Sequence, residues 1–430
     1  MNTSGLAATV FTTEDDSNTD DTIPGAALEV FNLSKQWANA MRKPGGLQIM
    51  AKQLEITDDA RVSWKIFSRC IATLRDMQST KPHDRIFAAL GFLQLDQRNM
   101  GMIVPNYSIS IQELFLEVTV MFLRQLPNLE ILAQRENTRV ETLSNLPSWV
   151  PDYSSSKGTQ PFEQTRLNAS GRIVSAPQFT VLGAELVIQG HAFDTIDAVH
   201  KRYTFASDSE AEHNNIAMLN TGFQAVTHLV RKSTLYSSDP LEVLWRTLIA
   251  NHTDIEGHAS IDSSHFRCFM AHAILGVLKD IPALAPEHVN IRPEQIGGIF
   301  PSSSSKPTPQ MLHSLQEASN RVKVSLYPSA DDVSLLDGVA KKAAVFLGAV
   351  ARFVPQRQLY VTKSGLVGLG PASMQPGDKL VYIDGARLLF VLRQRGQEYE
   401  LIGETYLHGR MNGELLNDGI LGNLVNIVLV

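Results

Sequence analysis

Cysteine is scarce in this chain: 430 residues contain two, Cys70 and Cys268. So few thiols exclude a disulfide framework. Both lie in helix-like apolar patterns, which reads as two buried thiols in a reducing, cytoplasmic compartment. No local motif makes either one a nucleophile. Clustered positive charge is also missing. The 38 Lys and Arg face 44 Asp and Glu, for a formal net charge of −6. The densest basic groups are pairs, Arg231-Lys232 and Lys341-Lys342, which read as solvated helix faces. That excludes a nucleic-acid or anionic-membrane partner of the basic-patch kind. No stretch reaches the roughly 18 apolar residues of a membrane-spanning helix. The best, residues 343–350, reads as part of a buried helix. The first 24 residues carry Glu14, Asp15, Asp16, Asp20 and Asp21 and no Lys or Arg. They predict a disordered acidic tail, not a signal or transit peptide.

Catalytic and metal motifs are missing as well. There is no Gly-x-Ser-x-Gly elbow, no phosphate-binding loop and no assignable Ser-His-Asp set. His252 with His258, and His265 with His272, are close in sequence but lack a cysteine or carboxylate at metal spacing. No cofactor and no metal ion is expected from these patterns.

What is present is ordinary globular composition, 43% hydrophobic and 19% charged, enough for about two to four domains. Over 25–150 the apolar periodicity is helical. Ile66, Phe67, Cys70, Ile71 and Leu74 share one face. Ser110 with Glu113 forms a capping box before the stripe Ile111, Leu114, Phe115, Val118, Met121 and Phe122. Asp84 is placed to cap a short helix over Arg85–Leu90, closed by Gly91. Residues 147–161 read as a boundary loop anchored by Trp149. Over 151–355 the pattern is mainly helical, with a β-hairpin near 178–200 and a linker near 301–309. From 356 to 430 the composition turns to strands at 358–362, 379–384, 388–393 and 398–408, punctuated by glycine. The Gly365–Pro371 stretch reads as turns. The fold class is α+β: mostly helical N-terminal and middle regions with a small antiparallel, barrel-like C-terminal module.

One strand face offers chemistry. Glu404, Tyr406 and His408 alternate and so project together. A carboxylate, a phenol and an imidazole can perform general acid–base catalysis. The same alternation also describes a solvated strand face, with Thr405 and Leu407 turned inward.

Four segments in order carry a family resemblance. They are Lys81-Pro-His-Asp-Arg-Ile-Phe-Ala-Ala-Leu-Gly91, Val104-Pro-Asn-Tyr-Ser108, Leu146-Pro-Ser-Trp-Val-Pro-Asp-Tyr-Ser154, and a terminal pair. That pair is residues 365–393 and Gly403-Glu-Thr-Tyr-Leu-His-Gly-Arg-Met-Asn-Gly-Glu414. Together they resemble the fungal heterokaryon-incompatibility (HET) domain protein family, over most of residues 80–416. Lys81, His83 and Asn106 depart from its pattern. Its N-terminal signature block, thought to be similar to TIR domains, has no counterpart here, so no functional residue transfers from it. The resemblance implies a non-enzymatic interaction or regulatory protein of allorecognition type, with other proteins as partners. The alternative is a repurposed enzyme or accessory protein of a fungal secondary-metabolite pathway, using the acid–base face.

Overall fold

The computed structural model describes residues 62–75, 79–90, 103–126, 129–134, 143, 145–155, 161–162, 167–171, 177–200, 239–253, 260–284, 303–416 and 423–430. The acidic segment 1–24, Gly91 and His258 lie outside these residues, as do 201–238 of the helical reading.

Seven α-helices appear among the described residues. In the N-terminal region they are α1 (Val62–Leu74), α2 (Asp84–Phe87) and α3 (Ile111–Gln125). Helix α3 forms as its pattern predicts. The Ser110 hydroxyl accepts the Glu113 N–H, and Leu114, Phe115, Val118 and Phe122 are buried. Asp84 does not cap α2. It sits in the first turn and accepts hydrogen bonds from the Lys81 N–H and the Tyr107 hydroxyl. The middle helices are α4 (Pro240–Leu248), α5 (Ser263–Leu284), α6 (Pro309–Val324) and α7 (Ala330–Phe353).

The sheet has eight strands. A hairpin comes first, β1 (Phe179–Leu182) and β2 (Glu185–Val199). The rest are β3 (Arg357–Thr362), β4 (Val367–Pro371), β5 (Lys379–Ile383), β6 (Leu389–Arg395), β7 (Glu398–Leu407) and β8 (Val425–Leu429). The pairing runs β2-β3-β4-β7-β6-β5 and returns to β2, so these six strands close into a barrel. Strand β2 makes closure possible because it is long and bulged. Its register shifts between Ala192 and Asp194 and between Ile196 and Ala198. Bulges bend a strand and increase its twist. Its last residues therefore pair with β3, its middle with β5, and its start with β1 and β8. The hairpin near 178–200 thus supplies a stave of the C-terminal barrel.

Residues 365–371 are not turns throughout: 367–371 form β4. Gly368 lies opposite Tyr360, and a Cβ there would overlap the Tyr360 ring. A Cβ on Gly370 would come 2.9 Å from the Thr405 hydroxyl. These glycines make room for side chains crossing from neighbouring strands.

Two cores share the barrel wall. One joins α1, α3 and the Leu146–Tyr153 loop to Val381, Ile383, Phe390, Leu392 and Leu401. The other joins α4, α5 and α7 to the barrel's remaining flank and interior. A smaller cluster ties α5 to α6 through Ala271, Ile274, Leu312 and Leu315. Each fully buried Leu, Ile or Phe contributes about 1.5–3 kcal/mol. Among the described residues no helix is long and apolar enough to cross a membrane.

Candidate functional site

Register decides where the β7 side chains go. Leu369 faces Tyr406 and Leu359 faces Leu369 across the pairs, so Leu359, Leu369, Tyr406 and Glu404 share one side of the wall. Thr405 pairs with Leu389 on the other side, where Tyr360 meets it. That side is the barrel interior, because Glu404 and Tyr406 contact elements packed outside. Thr405 and Leu407 do point inward, and both are fully buried. The outward residues are not solvated, however: Glu404 and Tyr406 are buried as well.

Glu404 is held in a buried ion pair. Arg357 Nη2 donates to its Oε1 at 2.6 Å, and the Phe162 N–H donates to the same oxygen at 2.8 Å. Arg357 leaves β3 on the same outward face. It donates a second bond to the Phe353 carbonyl at 2.9 Å and lies 3.8 Å from the centroid of the Phe162 ring. Phe162 in turn stacks on Phe353 at 5.8 Å. The carboxylate is thereby neutralised, hydrogen-bonded and covered by aromatic rings, which is what burial of a charge requires.

Tyr406 and His408 form a separate pair. The phenol oxygen is 3.1 Å from His408 Nδ1. Burial lowers the His408 pKa to about 4, with the Arg246 charge adding to the effect and Glu242 and Glu414 opposing it. The ring is therefore neutral at ordinary pH, and its tautomer sets which of Nδ1 and the phenol oxygen donates. Arg246 reaches this region from α4, where it pairs with Glu242 at 2.9 Å and with Asn251 Oδ1 at 2.9 Å. The structure thus joins Tyr406 to His408 and turns Glu404 toward Arg357. Sequence reasoning missed Arg357, Phe162, Glu242, Arg246 and Glu414. None has a local signature, since Phe162 and Glu404 are 242 residues apart in the chain. Of the paired histidines, His265 bonds Asp262 at 2.9 Å at the start of α5, and His252 packs edge-on to Phe353 at 5.6 Å.

The motif segments converge elsewhere, as architecture. The Tyr107 hydroxyl donates to Asp84 at 2.7 Å, and Arg85 donates to the Ser154 carbonyl. Asp152 ties down the Ser154 N–H at 2.8 Å. The Trp149 indole donates to the Ala184 carbonyl at 2.9 Å, at the β1–β2 turn. The Ser148 hydroxyl accepts the Leu401 N–H at 2.9 Å, and the Ser148 N–H donates to the Val430 carbonyl at 2.8 Å. The Leu146–Ser154 signature is thus a splint between the first helices and the barrel.

Residues 337–419 match the family model of the Het-6 beta-barrel domain. The C-terminal module is similar to a Het-6 barrel. The match starts within α7 and covers β3 to β7, while the barrel of this chain is closed by β2, from outside the matched residues. Heterokaryon incompatibility protein 6, OR allele, of Neurospora crassa is 38% identical over 68 residues, which is 15% of this chain and 10% of that protein. The chain therefore aligns with about a tenth of that relative. No solved structure matches the chain. Both findings support the HET resemblance carried by the motifs.

Proposed function

We propose that this chain is a non-enzymatic regulatory protein of heterokaryon-incompatibility type that works through contacts with other proteins. The observation that supports this reading is the commitment of Glu404. The one carboxylate on the candidate acid–base face is buried under aromatic cover, with its Oε1 held by Arg357 and the Phe162 N–H, which places it away from solvent and from a substrate arriving there. The Neurospora relative's name and the Het-6 barrel supply the biological context.

A second reading rests on the Tyr406–His408 pair. A phenol bonded to a neutral imidazole beside Glu242, Arg246 and Glu414 supplies the groups that acid–base chemistry uses. Inducible expression in a filamentous fungus separates the two. The regulatory reading expects a growth defect that persists in Tyr406→Phe and His408→Gln. A defect lost in both variants, at unchanged melting temperature, favours the enzyme. No defect with the wild type removes the allorecognition reading.

A further inference from the structure

Helix α7 carries a feature that neither reading uses. Ala344, Gly348 and Arg352 follow at intervals of four and so share one face. Ala344 and Gly348 are exposed, and a Cβ added to Gly348 meets nothing within 4 Å. This face floors a cleft of about 350 Å³, walled by Val345, Phe353 and His252. His252 is set there by an unusual turn. Ala250 and Asn251, neither of them glycine, both adopt left-handed φ angles of 48° and 51° after α4. Consecutive residues of this kind persist only where surrounding structure holds them. Here the Asn251 N–H and side chain both bond Arg246, and the His252 ring abuts Phe353.

The cleft lies within the size range of small-molecule sites, about 300–1,000 Å³. Its body is apolar and one end carries the Arg352 guanidinium, 5.4 Å from the Phe353 ring centroid. A guanidinium has five N–H donors, so one already engaged along one edge can still meet a carboxylate along another. The imidazole of His252 adds a second polar group at the rim. We infer that this cleft binds a slender organic anion, an aliphatic chain lying over Ala344 and Gly348 with its carboxylate at Arg352 and His252. The inference is independent of the proposed function. It places a ligand against Phe353, whose other contacts are Phe162 and, through its carbonyl, Arg357.

Calorimetric titration of the full chain with decanoate and with decan-1-ol tests this. The wild type should bind both saturably and prefer the acid by about tenfold, the worth of one charge-assisted hydrogen bond. Gly348→Phe fills the floor and should abolish both, with no fall in melting temperature. Ala344→Leu should do the same if the first variant folds poorly. Arg352→Met should erase the preference while retaining decan-1-ol binding. No saturable binding by the wild type overturns the site. So does undiminished binding by a folded Gly348→Phe chain. An unchanged acid preference in Arg352→Met overturns the anion assignment. A second copy of the chain is a rival occupant, because Leu326 and Tyr327 at the α6–α7 tip are more than 90% exposed. Concentration-dependent assembly lost in both Gly348→Phe and Leu326→Ser would replace the small ligand with self-docking.

Discussion

The two flanks of the barrel are sealed by different means. On the α1–α3 flank, Phe390, Leu392 and Leu401 meet Trp64, Phe67 and Phe122, with Phe67 and Phe122 centroids 5.4 Å apart. Bonds to the backbone tie it down, Ser148 to Leu401 and Val430 and Trp149 to Ala184, and Lys65 and Arg387 pair with Glu130 at its partly exposed edge. On the α4–α7 flank the wall carries charge. Arg357, Glu404 and His408 emerge from it beneath Phe162, Phe353 and α4. The motif-dense flank is therefore architecture. Both flanks bury titratable groups, Arg75 and Tyr153 on this one, but the Arg357–Glu404 pair and His408 lie on the other, and the cleft on α7 borders it.

The sharpest way to break this comparison is through the buried pair. Removing one partner strands the other charge, at a cost of about 3–5 kcal/mol. Glu404→Ala and Arg357→Ala should both show this as lowered midpoints in urea denaturation. The double variant Arg357→Met/Glu404→Leu should recover most of the loss, since an apolar pair of similar size needs no desolvation of charge. If the single variants cost no more than a surface substitution, the charged flank is not sealed as described.

His408 gives a smaller effect with a definite direction. Its pKa is about 4 in the folded chain and near the ordinary 6.5 when unfolded. Between those values the unfolded chain holds the extra proton, so stability is lost as pH falls from about 6.5 to 4. The shift corresponds to about 2 kcal/mol after allowance for partial exposure of the ring. His408→Gln should flatten that part of the stability–pH curve while leaving stability near pH 7 little changed. An unaltered curve would mean that the imidazole is not sequestered by α4.

These contrasts show what a linear reading can reach. Helix α3 was legible because its cap and stripe lie within fifteen residues, where 3.6-residue periodicity is a local property. The barrel-like character of the C-terminal module was legible from strand composition and the close glycine punctuation between β5, β6 and β7. Strand β4 was not, because Gly368 and Gly370 read as turn residues. Their purpose is visible only with Tyr360 and Thr405 laid across them. The role of β2 was hidden for a related reason. Closing a barrel depends on bulges and on partners more than 150 residues away, and a hairpin pattern carries neither. At the candidate site, alternation correctly put Glu404, Tyr406 and His408 on one face. It could not say that Arg357, 47 residues earlier, would claim the carboxylate.

The smallest effect tests the other flank. Ser148→Ala removes the acceptor of the Leu401 N–H, a buried bond at 2.9 Å. Leaving such a donor unsatisfied costs about 1–2 kcal/mol. Leu401 borders the point where the β6–β7 register shifts, so the strand ladder offers its N–H no easy substitute. Hydrogen exchange should therefore quicken at Leu401, while the Glu404–Arg357 region keeps its protection. Exchange rising on both flanks together would show that the splint and the ion pair belong to one cooperative unit. Exchange confined to Leu401 would show that the barrel's two seals act independently, so that the charged flank can adjust without disturbing the architectural one.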